Sequence, residues 1–312
     1  MALRFTFRQL EYFVAIGRAG SLSAAARRIN VSAPSLSAAL AQLEAEFGLP
    51  LFTRQHAQGL VLTDAGQRLM DRAAHLLEEA GALGDLANDM AERLGGPVSA
   101  GCLVTFAPLL MGPLRRSFSD AFPEARLSMQ EAHQAGLLTL LDRGEIDIAL
   151  TYNLDLPKTL RFDALLDLPP HAVLPPGHPL ACHDSVTLAA LAAEPMVLLD
   201  LPHSRDYFLS LFQTAGLRPR IAERCGGLGV MFSLVAHGFG YGLVNLRPAA
   251  PQSPDGAALR LVPITGPAPS EPVRPMVLGL ARKRAVSPRI VAAFATHLRD
   301  RLQGRTLPGL AL

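Results

Sequence analysis

The chain is poor in the groups that most enzymes and exported proteins display. Only two of its 312 residues are lysine, Lys158 and Lys283, and neither follows a glycine-rich phosphate loop. No G-x-S-x-G elbow and no H-E-x-x-H helix is present, so no enzymatic activity is expected. The three cysteines, Cys102, Cys182 and Cys225, lie 80 and 43 residues apart, far from the short spacings of zinc sites or C-x-x-C redox pairs. Buried small hydrophobes are the simplest reading of them. The spacing neither shows nor excludes a pair joined by folding, so a redox-sensing regulator stays open as the alternative. No apolar stretch reaches the roughly 18 uncharged residues of a membrane helix. The opening Met1-Ala2-Leu3-Arg4-Phe5, with Glu11 and Arg18 close behind, lacks a signal peptide's apolar core. A cytoplasmic protein without metal, cofactor or membrane contact is expected.

What is present is a 49% apolar composition in a chain long enough for two or three domains. The net charge of +2 is unevenly placed. Residues 1–66 hold six arginines against four acids, and the remainder balances 23 basic against 23 acidic residues. The small excess therefore sits where a polyanion partner would act, although a solvated surface explains it equally well.

Leu10, Phe13, Val14 and Gly17 recur at helical spacing until Gly20 breaks the pattern. Ser21 is placed to cap a second helix with Leu22, Ala25, Ala26 and Ile29 inward. Asn30 tolerates the left-handed turn that ends it. Ser32 caps a third helix, with Pro34 in its first turn and Leu36, Leu40, Leu43 and Phe47 on its inner face. Residues 22–41 thus form a helix-turn-helix, whose second helix enters a major groove N-terminus first. Its outer face carries Ser35, Ser37, Ala38, Ala39 and Gln42: small side chains for close approach, hydroxyls for phosphates, and an amide for an adenine edge. Leu51-Phe52-Thr53-Arg54 and Leu60-Val61-Leu62, around Gly59, make a wing that brings Arg54 to a phosphate or minor groove.

The runs Phe7-Arg8-Gln9-Leu10-Glu11-Tyr12-Phe13, Gly20-Ser21-Leu22-Ser23-Ala24-Ala25-Ala26 and Val31-Ser32-Ala33-Pro34-Ser35-Leu36-Ser37 resemble the LysR-type transcriptional regulators. So do Leu43-Glu44, Leu49-Pro50-Leu51-Phe52-Thr53-Arg54 and Leu62-Thr63-Asp64-Ala65-Gly66. The match runs without a gap over residues 5–66 and implies a winged helix-turn-helix on promoter DNA, with RNA polymerase as a further partner. The expected DNA-binding set is Ser21, Ser23, Arg27, Ser32, Ala33, Pro34, Ser35, Ser37, Ala38, Gln42 and Arg54. The family usually has Gln where this chain has Ala33, often Arg where it has Ala38, and Arg where it has Gln58. The usual bidentate base readers are thus missing, and an altered sequence preference or a modest affinity is expected.

From Asp64, a plausible cap, a helical pattern runs to Leu94, roughly thirty residues and roughly 45 Å. Residues 69, 73, 76, 80, 83, 87, 90 and 94 read Leu, Ala, Leu, Ala, Leu, Ala, Met and Leu, a heptad seam. A partner helix is one reading of it, and packing against its own domain is the other. The resemblance implies a linker that pairs subunits into a homodimer or homotetramer, and hence a partly palindromic target.

Beyond Pro97 strand and helix patterns alternate, which implies a mostly parallel sheet covered by helices. Asp167–Pro170 and Ala249–Pro275 read as loops. The expected α/β architecture is a winged helix-turn-helix domain (1–63), a linker helix (64–94) and an effector-binding domain (97–312). That last domain has two subdomains, one of 97–160 with 268–312 and one of 161–267. Gly144-Glu145-Ile146-Asp147-Ile148-Ala149-Leu150 and Ala236-His237-Gly238-Phe239-Gly240-Tyr241-Gly242-Leu243-Val244 resemble the same family's effector domain, whose fold is similar to periplasmic binding proteins. A small-molecule effector in the cleft is expected to meet Thr105, Phe106, His133, Thr151, Tyr152, His203, Ser204, Arg205, Gly227 and Leu228. The helix N-terminus at Pro202-His203-Ser204-Arg205 points to an anion.

Overall fold

A computed structural model describes residues 4–55, 59–90, 94–266, 273–283 and 288–304. The chain divides into two units, Met1–Arg93 and Leu94–Leu312.

In the first unit, α1 (Phe7–Ala19) starts at a reciprocal cap. The Gln9 backbone N–H donates to Thr6 Oγ1 at 3.2 Å, and the Thr6 N–H donates to Gln9 Oε1 at 2.8 Å. Gly20, at φ 65°, ends the helix in the left-handed conformation that only glycine adopts without strain. Ser21 caps α2 (Leu22–Arg28) through the Ala24 N–H, and Asn30 takes its expected positive φ of 52°. Ser32 caps α3 (Ala33–Phe47), which Gly48 closes. Strands β1 (Phe52–Gln55) and β2 (Gly59–Leu62) pair antiparallel as the wing. Phe13, Ile16, Leu36, Leu43 and Leu51 are fully enclosed between these elements.

The linker helix α4 (Asp64–Met90) departs from expectation at both ends. Thr63, not Asp64, supplies the cap: its Oγ1 accepts the Gly66 N–H at 2.9 Å, and Asp64 sits in the first turn, where its charge favours the helix dipole. Leu94 lies outside the helix. The heptad stripe is divided. Leu69 and Ala73 pack into their own unit's core, while Leu76 and Leu83 stay exposed, the latter at 69%.

The second unit opens with β3 (Gly96–Leu103), α5 (Ala107–Ala121), β4 (Ala125–Ala132), α6 (Gln134–Asp142) and β5 (Ile148–Tyr152). Then come β6 (Leu160–Leu168), β7 (His171–Leu174), a 3-10 turn at Pro179–Cys182, β8 (Val186–Thr187), α7 (Leu188–Ala192), β9 (Pro195–Leu199) and α8 (Ser204–Thr214). The chain continues through β10 (Arg220–Cys225), α9 (Leu228–Ala236), β11 (Gly242–Val244), β12 (Arg260–Thr265), β13 (Met276–Lys283) and α10 (Arg289–Gln303). One lobe is the sheet β4-β3-β5-β13-β6, and the other is β11-β7-β12-β8 flanked by the parallel pair β9–β10.

Three sequence expectations change here. The first sheet is mixed: β3 runs parallel to β4 and β5, while β13 is antiparallel to both β5 and β6. Residues 161–168 belong to this first lobe, because β6 pairs along β13 from Leu160↔Lys283 to Leu168↔Met276. The outward crossover therefore follows Leu168 and not the expected boundary at 160/161. The expected loop 249–275 contains β12, which pairs with β7 and β8. Its Pro263 sits within a strand whose apolar residues Val262 and Ile264 are buried.

Candidate nucleic-acid interface and effector cavity

The nucleic-acid face is built on α3. Burial of Leu36, Leu40 and Leu43 turns Pro34, Ser35, Ser37, Ala38, Ala41 and Gln42 outward, all exposed. Ser23, Arg27 and Ser32 are exposed as well, whereas Ser21 and Ala33 are half-buried. Ser32 Oγ accepts the Ser35 N–H at 3.2 Å and lies 2.7 Å from Ser35 Oγ. Pro34 has no N–H, so the free backbone donors at this terminus are those of Ser32 and Ala33. No acidic residue stands in the first turn to repel a phosphate. Gln42 Oε1 accepts from Gln9 Nε2 at 3.2 Å, which ties the reading face to α1. Arg54 lies in β1, but its side chain and the wing tip with Gln58 fall outside the described residues.

In the second unit a cavity opens where strands of both lobes end. Thr105 and Tyr152 come from the ends of β3 and β5, and Met276 from the start of β13. Leu199, Ser204, Phe208, Leu228 and Leu243 come from the other lobe, as does Asn245, which directly follows β11. The space available to water centres is about 20 Å³, room for about one water molecule. No Lys, Arg, His, Asp or Glu is among the lining residues. Burial pushes the Tyr152 hydroxyl above its ordinary range and that of neighbouring Tyr207 to about 12, so both stay protonated donors. The Thr105 hydroxyl hydrogen-bonds to Tyr152, whereas Asn245 Oδ1 is buried without a hydrogen-bond partner.

Of the ten residues expected at an effector, Thr105, Tyr152, Ser204 and Leu228 meet at this cavity. Phe106 is buried behind it, edge-on to Tyr152 at 5.1 Å. Thr151 is buried and donates to Gln134 Oε1, while Gln134 Nε2 donates to the Leu154 carbonyl. His133 is exposed at the start of α6, and Gly227 precedes α9 without lining the space. His203 takes a strained φ of 65°, and its Nδ1 lies 3.2 Å from Asp155 Oδ2, across the two lobes. Arg205 is held by Asp200 at 2.9 Å and Asp206 at 2.8 Å, and Arg224 also reaches Asp200, at 3.0 Å. The cation expected to meet an anionic effector does not line the cavity, and its charge is already met by two aspartates. Asn245 and Phe208 were missed. For Asn245 the signal was an amide directly after the apolar run Tyr241–Val244.

The thiols are separated by burial. Cys102 is fully buried, and desolvation, aided by the Glu131 charge, pushes its pKa up to about 12. Burial also raises Cys225. Cys182 is exposed, and its Sγ donates to the Pro179 carbonyl. None of the three lines the cavity.

Comparison with known proteins places these units. Residues 7–67 match the model of the bacterial regulatory helix-turn-helix protein, lysR family, and residues 91–303 match the LysR substrate binding domain. The crystal structure of HinK, a LysR family transcriptional regulator from Pseudomonas aeruginosa, is 34% identical with a TM-score of 0.64, over 96% of this chain and 98% of that one. Full-length CbnR complexed with its target DNA is 26% identical with a TM-score of 0.55, over 95% and 99%. An H2O2-bound OxyR mutant from Corynebacterium glutamicum is 27% identical with a TM-score of 0.62, over 97% and 94%.

Proposed function

The chain belongs to the LysR family of DNA-binding transcription regulators, and on that premise we propose that a small effector in the cavity between the lobes controls its hold on promoter DNA. α3 enters the major groove with Ser35, Ser37, Ala38 and Gln42 towards the bases. Ser32, Ala33, Arg27 and Arg54 take the phosphates. The exposed Leu76 and Leu83 pair α4 with a second copy, so that two α3 helices meet two half-sites. The DNA-bound form of the similar CbnR supports this docking.

One observation carries the ligand-controlled reading: Asn245 Oδ1, buried and unpartnered, lines a cavity where the strands of both lobes end. Folded proteins leave few such atoms, and strand ends at a lobe junction are where α/β domains take ligands. The test has two arms. Selection of bound duplexes from random DNA with the full chain should return a partly dyad-symmetric sequence. A small-molecule thermal-shift screen should find compounds that raise the melting temperature and whose effect is lost when Leu228→Trp fills the cavity. Asymmetric selected sites, or hits indifferent to Leu228→Trp, would refute the respective arm.

The likeness to an H2O2-bound OxyR raises the redox-sensing alternative. The thiolate is the reactive form, and burial disfavours it at Cys102 and Cys225. Effector control is the better supported reading.

A further inference from the structure

We propose that Asn245 selects the effector, and that the effector is an uncharged, largely apolar molecule bearing a hydrogen-bond donor, of the phenol or indole class. The proposal rests on the reading of the cavity as the effector site.

Asn245 is 4% exposed and directly follows β11. Its surroundings dictate which way the amide faces. Asn245 Nδ2 donates to the Leu168 carbonyl at 2.7 Å, and a carbonyl can only accept, so the nitrogen must take that side. Tyr207 gives its proton to the Arg274 carbonyl at 2.6 Å, which leaves its oxygen to accept Asn245 Nδ2 at 3.4 Å. Both neighbours therefore hold the NH2 group, and Oδ1 is left on the opposite side, buried and without a donor.

That orphan acceptor sits in a setting with a narrow set of fitting ligands. Leu199, Phe208, Leu228, Leu243, Leu246 and Met276 supply an apolar wall. A carboxylate would meet an amide oxygen with no cation at hand, since Arg205 is taken by two aspartates. An ammonium would satisfy Oδ1 but find no carboxylate among the lining residues. A neutral O–H or N–H on a flat apolar body satisfies Asn245 Oδ1 and buries its remainder. The Thr105 hydroxyl, hydrogen-bonded to Tyr152, keeps lone pairs that can accept a second bond from the ligand's other edge. The cavity holds about one water in this state, so entry requires side chains to yield. Met276 is an adaptable wall for that purpose.

The experiment is titration calorimetry on the full-length protein with phenol, indole, toluene and benzoate, repeated on Asn245→Leu and Leu228→Trp. Phenol or indole should bind at least about tenfold more tightly than toluene and benzoate. Asn245→Leu should erase the preference over toluene. Benzoate as the tightest probe, toluene equal to phenol in the parent, or no binding by any probe would each overturn the proposal. These outcomes need only the parent protein and so do not depend on the variants folding. An unchanged donor preference in Asn245→Leu, with binding lost in Leu228→Trp, would overturn the role of Asn245 alone. Binding that survives Leu228→Trp would overturn the cavity reading and the proposal with it.

Discussion

Replacing Ser35 with glutamate should push stability and DNA affinity in opposite directions. Ser32 caps α3 and Ser35 stands three residues on, the position from which a longer acceptor reaches back to the cap's own N–H. The chain already builds that arrangement with Thr6 and Gln9 at α1. Ser35→Glu would complete it at α3 and place a negative charge at the positive end of the helix, together about 0.3–1 kcal/mol of stabilisation. For a unit of Met1–Arg93 that is roughly 1–8 °C in melting temperature. The same carboxylate occupies the Ser32 N–H proposed for a phosphate and stands about 5 Å from that phosphate. Its repulsion is about 0.8–3.3 kcal/mol between water-like and surface dielectric values, on the order of fourfold to a few hundredfold in Kd. The slope of log affinity against log salt should also fall by about 0.9. Ser35→Gln separates the contributions: it keeps the reciprocal cap without the charge, so it should weaken binding far less. Fluorescence anisotropy on a selected duplex at several salt concentrations, beside thermal melts, reads all these quantities. Equal binding by parent and Ser35→Glu, with equal salt slopes, would refute the docking of α3. Equal losses with Glu and Gln would refute the electrostatic reasoning.

Three further outcomes are expected. Leu83→Asp, at an exposed seam position, should lower the oligomeric mass in analytical ultracentrifugation while leaving the core of the DNA-binding unit folded; an unchanged mass would remove the seam from the assembly. In the native protein Cys182 alone should react quickly with a thiol reagent, with Cys102 and Cys225 reacting only on unfolding, and peroxide should leave DNA binding intact; fast labelling of either buried thiol would revive the redox alternative. Burial raises the Asp163 carboxyl, but hydrogen bonds from Arg161 at 2.8 Å and Arg282 at 3.2 Å outweigh it and hold the group below its ordinary range. Its pairing therefore stabilises the fold fully above the unfolded value of about 4 and is lost as pH falls through the lowered one. Acid titration of the melting temperature should be shallower below pH of about 4 in Asp163→Asn, and identical profiles would contradict this.

Local chemistry was legible in the sequence. Ser21 and Ser32 cap because a short hydroxyl bonds an N–H three residues ahead, and Gly20, Asn30 and Gly48 end helices because few other residues take positive φ. These contacts span a few residues, so the helix-turn-helix could be read without its surroundings, as could the alternating strands and helices after Pro97. Non-local pairing could not be read in this way. β6 joined the first sheet because β13, more than a hundred residues later, lies beside it, and β12 hid in a proline-rich stretch until β7 and β8 paired with it. The heptad stripe had one period and two fates, since only the packed unit shows that Leu69 and Ala73 are covered and Leu83 is not. At the cavity the sequence found Thr105, Tyr152, Ser204 and Leu228 at strand exits and helix starts. It could not find the neighbours that decide their chemistry. A side chain's charge is local, but its neutralisation is not: Arg205 looked like an anion's partner until folding set Asp200 and Asp206 against it. Asn245 carried no local signal of its role, because Leu168 and Tyr207 fix its nitrogen and leave its oxygen to the cavity only in the folded chain.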